Sequence, residues 1–304
     1  MLTEIHLLLT YTCNFECDHC FLYCGPQARG TFTREQVVEV LDQAEELGTI
    51  NRIYFEGGEP FLAYPLLVEG IRLARDRGFE VGIVTNGYWA TSDEVAENRL
   101  RPLAEMGVAD LSISDDGFHS DGRDPTPVRT AIDVARRLGM PVNTIAIEEP
   151  SLQTEDEGHA KGATIIGGDV VFRGRAADQL TAGLPLSPAA SFGQCPFEDL
   201  VAPERVHVDT HGNVQFCQGV SIGNLWHTRL AELLAEYRPT SHPICGPLVE
   251  GGPARLAEYY GVAPEDGAVT ACHLCFRARR ALIDRFPSQL APRQIYGSNL
   301  TPSG

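Results

Sequence analysis

Lysine is nearly missing from this 304-residue chain: Lys161 is the one lysine among 24 basic residues, set against 41 acidic ones for a net charge of −17. So little positive charge excludes the basic footprint that nonspecific phosphate-backbone binding needs, and no nucleic-acid partner is expected. Long apolar runs are missing too. No stretch approaches the roughly 18 consecutive apolar residues of a spanning helix, so no membrane partner is expected. Met1-Leu2-Thr3-Glu4-Ile5-His6 lacks the basic region and apolar core of a secretory signal. These absences predict a cytoplasmic protein. Neither an internal repeat nor a low-complexity segment is found. Cysteine is missing from a long interior stretch: of nine, four fall before residue 25 and none between Cys24 and Cys195. In a reducing compartment, nine cysteines so unevenly placed favour metal or redox duty over disulfides. The remainder, 43% hydrophobic and 21% charged, is ordinary globular composition with length for one large domain and a smaller one.

Residues 4–10 read as a strand. Thr33 and Gln36 form a capping box opening a helix, along which Val37, Val38, Leu41, Ala44 and Leu47 recur until Gly48 stops it. Strands are expected at Arg52–Phe55, Phe79–Thr85, Ala109–Ser114, Val142–Ile147 and Asp169–Arg173. Helices are expected at Leu66–Ala74, 92–106 and Val128–Leu138, while 150–162 is polar with no helical pattern. Strands alternating with helices imply a parallel sheet with its helices outside. Residues 181–194 read as a linker, and Arg205–Asp209 with Asn213–Phe216 as a hairpin around His211-Gly212. Helices follow at about 229–237, 254–261 and 272–285, and the tail from Pro287 is expected to be irregular.

Directly after the first strand, Cys13, Cys17 and Cys20 stand at C-x-x-x-C-x-x-C spacing. Three thiolates on one short loop can converge on one metal centre, and soft sulfur selects iron–sulfur clusters or zinc. Structural zinc wants four protein ligands; three suit a cluster with one open iron. A zinc loop or buried free thiols remain the alternatives. Gly57-Gly58-Glu59-Pro60 ends the second strand, where glycines let backbone approach a ligand and a carboxylate can accept from an ammonium group.

With these two motifs the chain resembles the radical S-adenosylmethionine (radical SAM) superfamily. His19 stands in the position usually aromatic in the cysteine motif. The resemblance implies a partial (β/α)6 TIM-like barrel over residues 1–180, with its fifth helix degraded to a loop. It implies a site-differentiated 4Fe-4S cluster on Cys13, Cys17 and Cys20. It also implies S-adenosylmethionine bound at the Gly57, Gly58, Glu59, Pro60 loop, with Glu59 on the methionine ammonium. Parallel barrels gather their chemistry at strand C-termini, where Thr85-Asn86-Gly87, Ser112 to Gly117 and Arg173-Gly174-Arg175-Ala176 also lie. Ser114 is the candidate for a ribose contact and Arg175 for a carboxylate of cofactor or substrate; Asp116 and His119 are weaker candidates.

Cys195, Cys217, Cys272 and Cys275, with Gly212 before Cys217 and Cys272-x-x-Cys275 opening a helix, resemble the twitch form of the SPASM domain. That implies a small α+β module over 195–286 holding a second, auxiliary 4Fe-4S cluster, followed by a tail at 287–304. A four-thiolate zinc site is the competing view. Cys24 and Cys245 are left as buried thiols or substitute ligands. The implied activity is reductive cleavage of S-adenosylmethionine to a 5′-deoxyadenosyl radical that abstracts a substrate hydrogen, fed by a reducing partner such as flavodoxin or ferredoxin. A small metabolite or cofactor precursor is the expected substrate, because the first strand begins at once and leaves no room for the recognition domain of many peptide-modifying members. Modification of a ribosomal peptide is the alternative, and a non-catalytic zinc scaffold lies outside both.

Overall fold

The computed structural model describes residues 1–120, 125–153 and 165–298. The chain begins with β1 (Glu4–Thr10), whose Ile5, Leu7, Leu8 and Leu9 are all fully buried, as a strand covered on both faces must be. Then follow α1 (Arg34–Leu47), β2 (Arg52–Gly57), α2 (Tyr64–Asp76), β3 (Glu80–Thr85), α3 (Asp93–Glu105) and β4 (Asp110–Ser114). A short α4 (Gly117–Ser120), α5 (Thr126–Arg137) and β5 (Val142–Ile145) complete the alternating part. The capping box of α1 forms as expected, with Gln36 N donating to Thr33 and Gln36 Oε1 accepting from Thr33 N, and Gly48 ends the helix left-handed. Among the described residues no helix is long and apolar enough to cross a membrane.

β1 to β5 pair in parallel in chain order, the parallel sheet that the alternation predicts. The expected strand at Asp169–Arg173 does not form. Gly168 and Asp169 both take positive φ, which breaks an extended run. The chain before them pairs instead as β7 (Ile165–Gly167) against β6 (Ser151–Gln153), an antiparallel pair apart from the main sheet. The loop expected in place of a fifth helix lies mostly outside the described residues.

After α6 (Arg175–Gln179), the hairpin β8 (Arg205–Val208) and β9 (Asn213–Cys217) appears where expected, followed by β10 (Val220–Asn224). It is continuous with the barrel: β8 pairs in parallel with the free edge of β1, giving the order β10-β9-β8-β1-β2-β3-β4-β5. Three helices follow: α7 (Leu230–Glu236), α8 (Cys245–Tyr260) and α9 (Ala271–Leu282). α8 is broken at Gly251-Gly252, where Gly252 lies so close to Gly193 and Gln194 that a Cβ would fall 2.3 Å from the Gln194 nitrogen. The tail, expected to be irregular, is pinned: Tyr296 is buried, stacks on Phe276 and donates to Gly219 O at 2.5 Å.

One buried carboxylate joins the two parts. Asp209, fully buried, accepts from Tyr11 Oη at 3.1 Å, Asn213 Nδ2 at 2.9 Å and Gln215 Nε2 at 3.1 Å, and from the nitrogens of His211 and Asn213. Asp209→Ala leaves these donors unmatched, and each buried unsatisfied group costs about 1–3 kcal/mol. A loss of about 3 kcal/mol or more in denaturant unfolding is expected; a change under about 1 kcal/mol would show that water replaces the carboxylate.

Candidate active site

The cysteine loop leaves β1 and is held by its backbone. Cys13 N donates to Gly25 O at 3.1 Å and Thr12 Oγ1 to Ala28 O at 2.9 Å. Arg175, also buried, donates through Nη1 to Cys17 O and through Nη2 to Cys24 O, both at 2.7 Å. Gly174 makes this possible: with φ of +59° it packs on Phe21, where a Cβ would lie 2.5 Å from main-chain atoms.

Cys13, Cys17 and Cys20 all line one cavity of about 300 Å³ at the C-terminal ends of the strands. Gly57 and Gly58 line it as well, pressed on the start of the cysteine loop, with a Gly58 Cβ only 2.3 Å from Thr12 O. Ser114 lines both this cavity and an adjoining depression of about 280 Å³ reached past Asn14 and Tyr88. The thiols are not equivalent. A hydrogen bond from Cys24, helped by the Arg175 charge, lowers Cys20 to about 6 against the effect of burial. Burial pushes Cys13 up to about 12. Cys24, read as a leftover thiol, is thus the hydrogen-bond partner of a triad sulfur.

Two residues expected from sequence to hold cofactor or substrate are engaged by the chain itself. The Glu59 carboxylate is committed to the chain. Oε1 accepts from Phe61 N at 2.9 Å and Thr85 Oγ1 at 2.8 Å, and Oε2 accepts from Asn86 N at 2.8 Å. It is fully buried, raised to about 7 by that burial, and is not among the cavity's lining groups. Its task is to tie the loop after β2 to the end of β3, where Asn86 Nδ2 reaches Asn14 Oδ1 at 3.0 Å. Pro60 likewise opens a 3-10 turn, buried behind the wall. Glu59→Ala should cost about 3 kcal/mol in unfolding free energy, since three buried donors lose their acceptor; a loss under about 1 kcal/mol would contradict the bracing role.

The second is the arginine. Arg175 is used by the cysteine loop, whereas Arg173 lines the cavity, with its guanidinium 5.0 Å from the Phe21 ring. Across the cavity, His119 Nδ1 lies 2.8 Å from Asp116 Oδ1, and its ring meets that of His19 edge-on at 5.1 Å. Asp116 also accepts from Ile147 N at 3.2 Å.

Arg173 also faces the C-terminal cysteines. Its Nη1 donates to Cys217 Sγ at 3.0 Å, and Arg279 Nη1 lies 3.8 Å from the same sulfur. Burial pushes Cys272 up to about 12 and Cys275 up to about 11, and both feel the charges of Cys217 and Cys195. The four cysteines named from sequence are therefore brought into one electrostatic neighbourhood. Cys245, buried and hydrogen-bonded to Tyr237, is pushed up to about 12 by burial and feels Cys217 and Cys275 as well.

The radical SAM superfamily profile matches residues 7–148, the stretch that carries the cysteine triad, the glycine loop and Ser114. Those residues, a little under half of the chain, are thus a radical SAM superfamily match. The superfamily's cofactors are a 4Fe-4S cluster and S-adenosylmethionine, and the residues present fit them: three sulfurs and a close-packed glycine loop share one cavity. The chain is 25% identical over 133 residues to the putative peptide biosynthesis protein YydG of Bacillus subtilis, covering 44% of this chain and 42% of that protein. It is 36% identical over 105 residues to the tungsten-containing aldehyde ferredoxin oxidoreductase cofactor-modifying protein of Pyrococcus furiosus, covering 34% and 28%. The matches thus span less than half the length of these relatives. BtrN, solved in complex with AdoMet and 2-DOIA, shares the fold with a TM-score of 0.50 at 18% identity, over 77% of this chain and 82% of that one.

Proposed function

We propose that this chain is a radical SAM enzyme with a core over residues 1–180 and an auxiliary-cluster module over 195–286. In this reading Cys13, Cys17 and Cys20 hold the site-differentiated cluster, and the Gly57-Gly58 backbone and Ser114 receive S-adenosylmethionine. The observation that carries the reading is the meeting of three cysteine sulfurs and the glycine loop on one cavity wall at the strand ends. When bound, cluster and cofactor supply a 5′-deoxyadenosyl radical that takes a hydrogen atom from substrate. The chain's part is to orient and to exclude water. Buried Arg175 and Cys24 hold the cysteine loop, and Glu59 fixes Asn86 beside it.

Cys195, Cys217, Cys272 and Cys275 would hold the auxiliary cluster. Arg173, between cavity and Cys217, supplies a fixed cation for an anionic substrate or for the auxiliary sulfurs. A small polar metabolite or cofactor precursor is the substrate class this suits. The resemblance to YydG favours a second reading, modification of a peptide. Electrons would come from a flavodoxin or ferredoxin. The test is anaerobic reconstitution with iron and sulfide, then dithionite and S-adenosylmethionine: 5′-deoxyadenosine should accumulate. None above the protein-free control would sink the proposal.

A further inference from the structure

A second constellation of metal-binding type lies inside the barrel, apart from both cysteine sets. His6 on β1 and His207 on β8 are direct neighbours across the parallel ladder, and their rings lie 5.0 Å apart. Glu56, near the end of β2, reaches both. Its Oε1 is 2.9 Å from His207 Nδ1 and its Oε2 is 3.3 Å from His6 Nδ1. The donor atoms of the three residues lie within 4.8 Å of one another. His207 is 4% exposed, and the Glu56 side chain 16%, so they meet in the barrel interior rather than on its surface.

The outward nitrogens of the imidazoles are the second observation. His6 Nε2 lies 3.5 Å from Glu4 Oε2, and His207 Nε2 lies 3.1 Å from the Gln218 side-chain amide. Metal-bound imidazoles are held in this way: one nitrogen goes to an outer carboxylate or amide, which fixes the tautomer, and the other faces the ion. Here both Nδ1 atoms face one carboxylate. His6 Nδ1 and Gln218 Oε1 are, besides, buried without a hydrogen-bond partner. Turning the Gln218 amide would let its oxygen accept from His207 Nε2, leaving His207 Nδ1 with a lone pair. Glu56 also lines the large cavity, so an ion held here would have free positions on that side.

We propose that His6, Glu56 and His207 form a binding site for a divalent first-row cation, with Glu4 and Gln218 as its outer partners. Two imidazoles and one carboxylate with open positions suit iron(II), manganese(II) or zinc(II). The ion would tie β8 of the C-terminal part to β1 and β2 of the barrel. The site does not depend on the radical SAM reading, since none of its ligands belongs to the cysteine sets.

Mn²⁺ is the probe, because thiolates compete poorly for it. Titrated into the full chain and followed by the free six-line electron paramagnetic resonance signal, one equivalent should disappear. The melting temperature should rise with Mn²⁺, since a ligand that binds the folded state stabilises it. His6→Gln, His207→Gln and Glu56→Gln should each abolish both effects, and Gln218→Leu should weaken binding roughly 10–100-fold, as loss of an outer partner does. The Cys13/Cys17/Cys20→Ala variant should bind Mn²⁺ as the wild type does, which separates this site from the proposed catalytic function. Binding of no Mn²⁺ by the wild type overturns the proposal and leaves an imidazolium–carboxylate pair. Equal binding by any of the three ligand variants that keeps its circular dichroism spectrum also overturns it. Gln218→Leu, which alters no ligand, serves the same purpose should those variants unfold.

Discussion

Replacing Cys13, Cys17 and Cys20 together by alanine should bring 5′-deoxyadenosine formation down to the protein-free background and remove about four irons per chain. The argument rests on what holds the loop and what the loop presents. Its path is held by Cys13 N on Gly25 O and by Arg175 on the Cys17 and Cys24 carbonyls, while the sulfurs contribute only the longer contacts of Phe15 N to Cys13 Sγ and Cys24 N to Cys20 Sγ, both at 3.4 Å. The variant should therefore keep its fold and its circular dichroism spectrum. What it loses is three of the four cysteines that line the cavity from this loop. Cys24 is a poor substitute: its thiol is pushed well above the usual range, by its hydrogen bond to Cys20 and by burial. Thiolate is the ligand form, so removing Cys20, whose thiol is lowered to about 6, leaves Cys24 without that partner but still buried. Iron and acid-labile sulfide analysis with product chromatography checks the outcome. Wild-type product formation in a folded triple variant would remove the basis of the proposed function.

The parts of this molecule that sequence makes legible are those determined within a few residues. The Thr33 capping box, the Gly48 stop and the first five strands follow from local spacing. The motifs at the strand ends follow in the same way. What escapes is determined across long separations or by single dihedral choices. Pairing of β8 with β1 joins residues about two hundred positions apart, and a hairpin pattern does not say which edge it will find. Positive φ at Asp169 cancels a strand that Val170, Val171 and Phe172 advertise. Glu59 looks like a ligand carboxylate until Thr85 and Asn86 close on it, and Arg173 and Arg175 differ only in which way the chain turns at Gly174. His6, Glu56 and His207 carry no motif, because their three strands come together only in the folded sheet.

The Cys272→Ala/Cys275→Ala variant tests the C-terminal third. If two clusters are present, reconstituted wild type carries about eight irons and this variant about four. The triad variant should keep the complementary four. Both cysteines sit in the first turns of α9, which is capped by Thr270 and has His273 and Leu274 buried, so the helix does not depend on them to form. Their loss instead removes two partners of a crowded group in which Arg173 and Arg279 are the nearby cations. Cys195 and Cys217 alone leave too few thiolates for a fully ligated cluster. Because four cysteines leave no open iron, S-adenosylmethionine should perturb the spectrum of the N-terminal cluster alone, and should do so equally in wild type and in this variant. Arg173 keeps its Cys217 partner in this variant and still lines the cavity on the other side. Full iron retention in the double variant, together with stoichiometric zinc in the wild type, would make the C-terminal third a zinc module joined to a single-cluster enzyme.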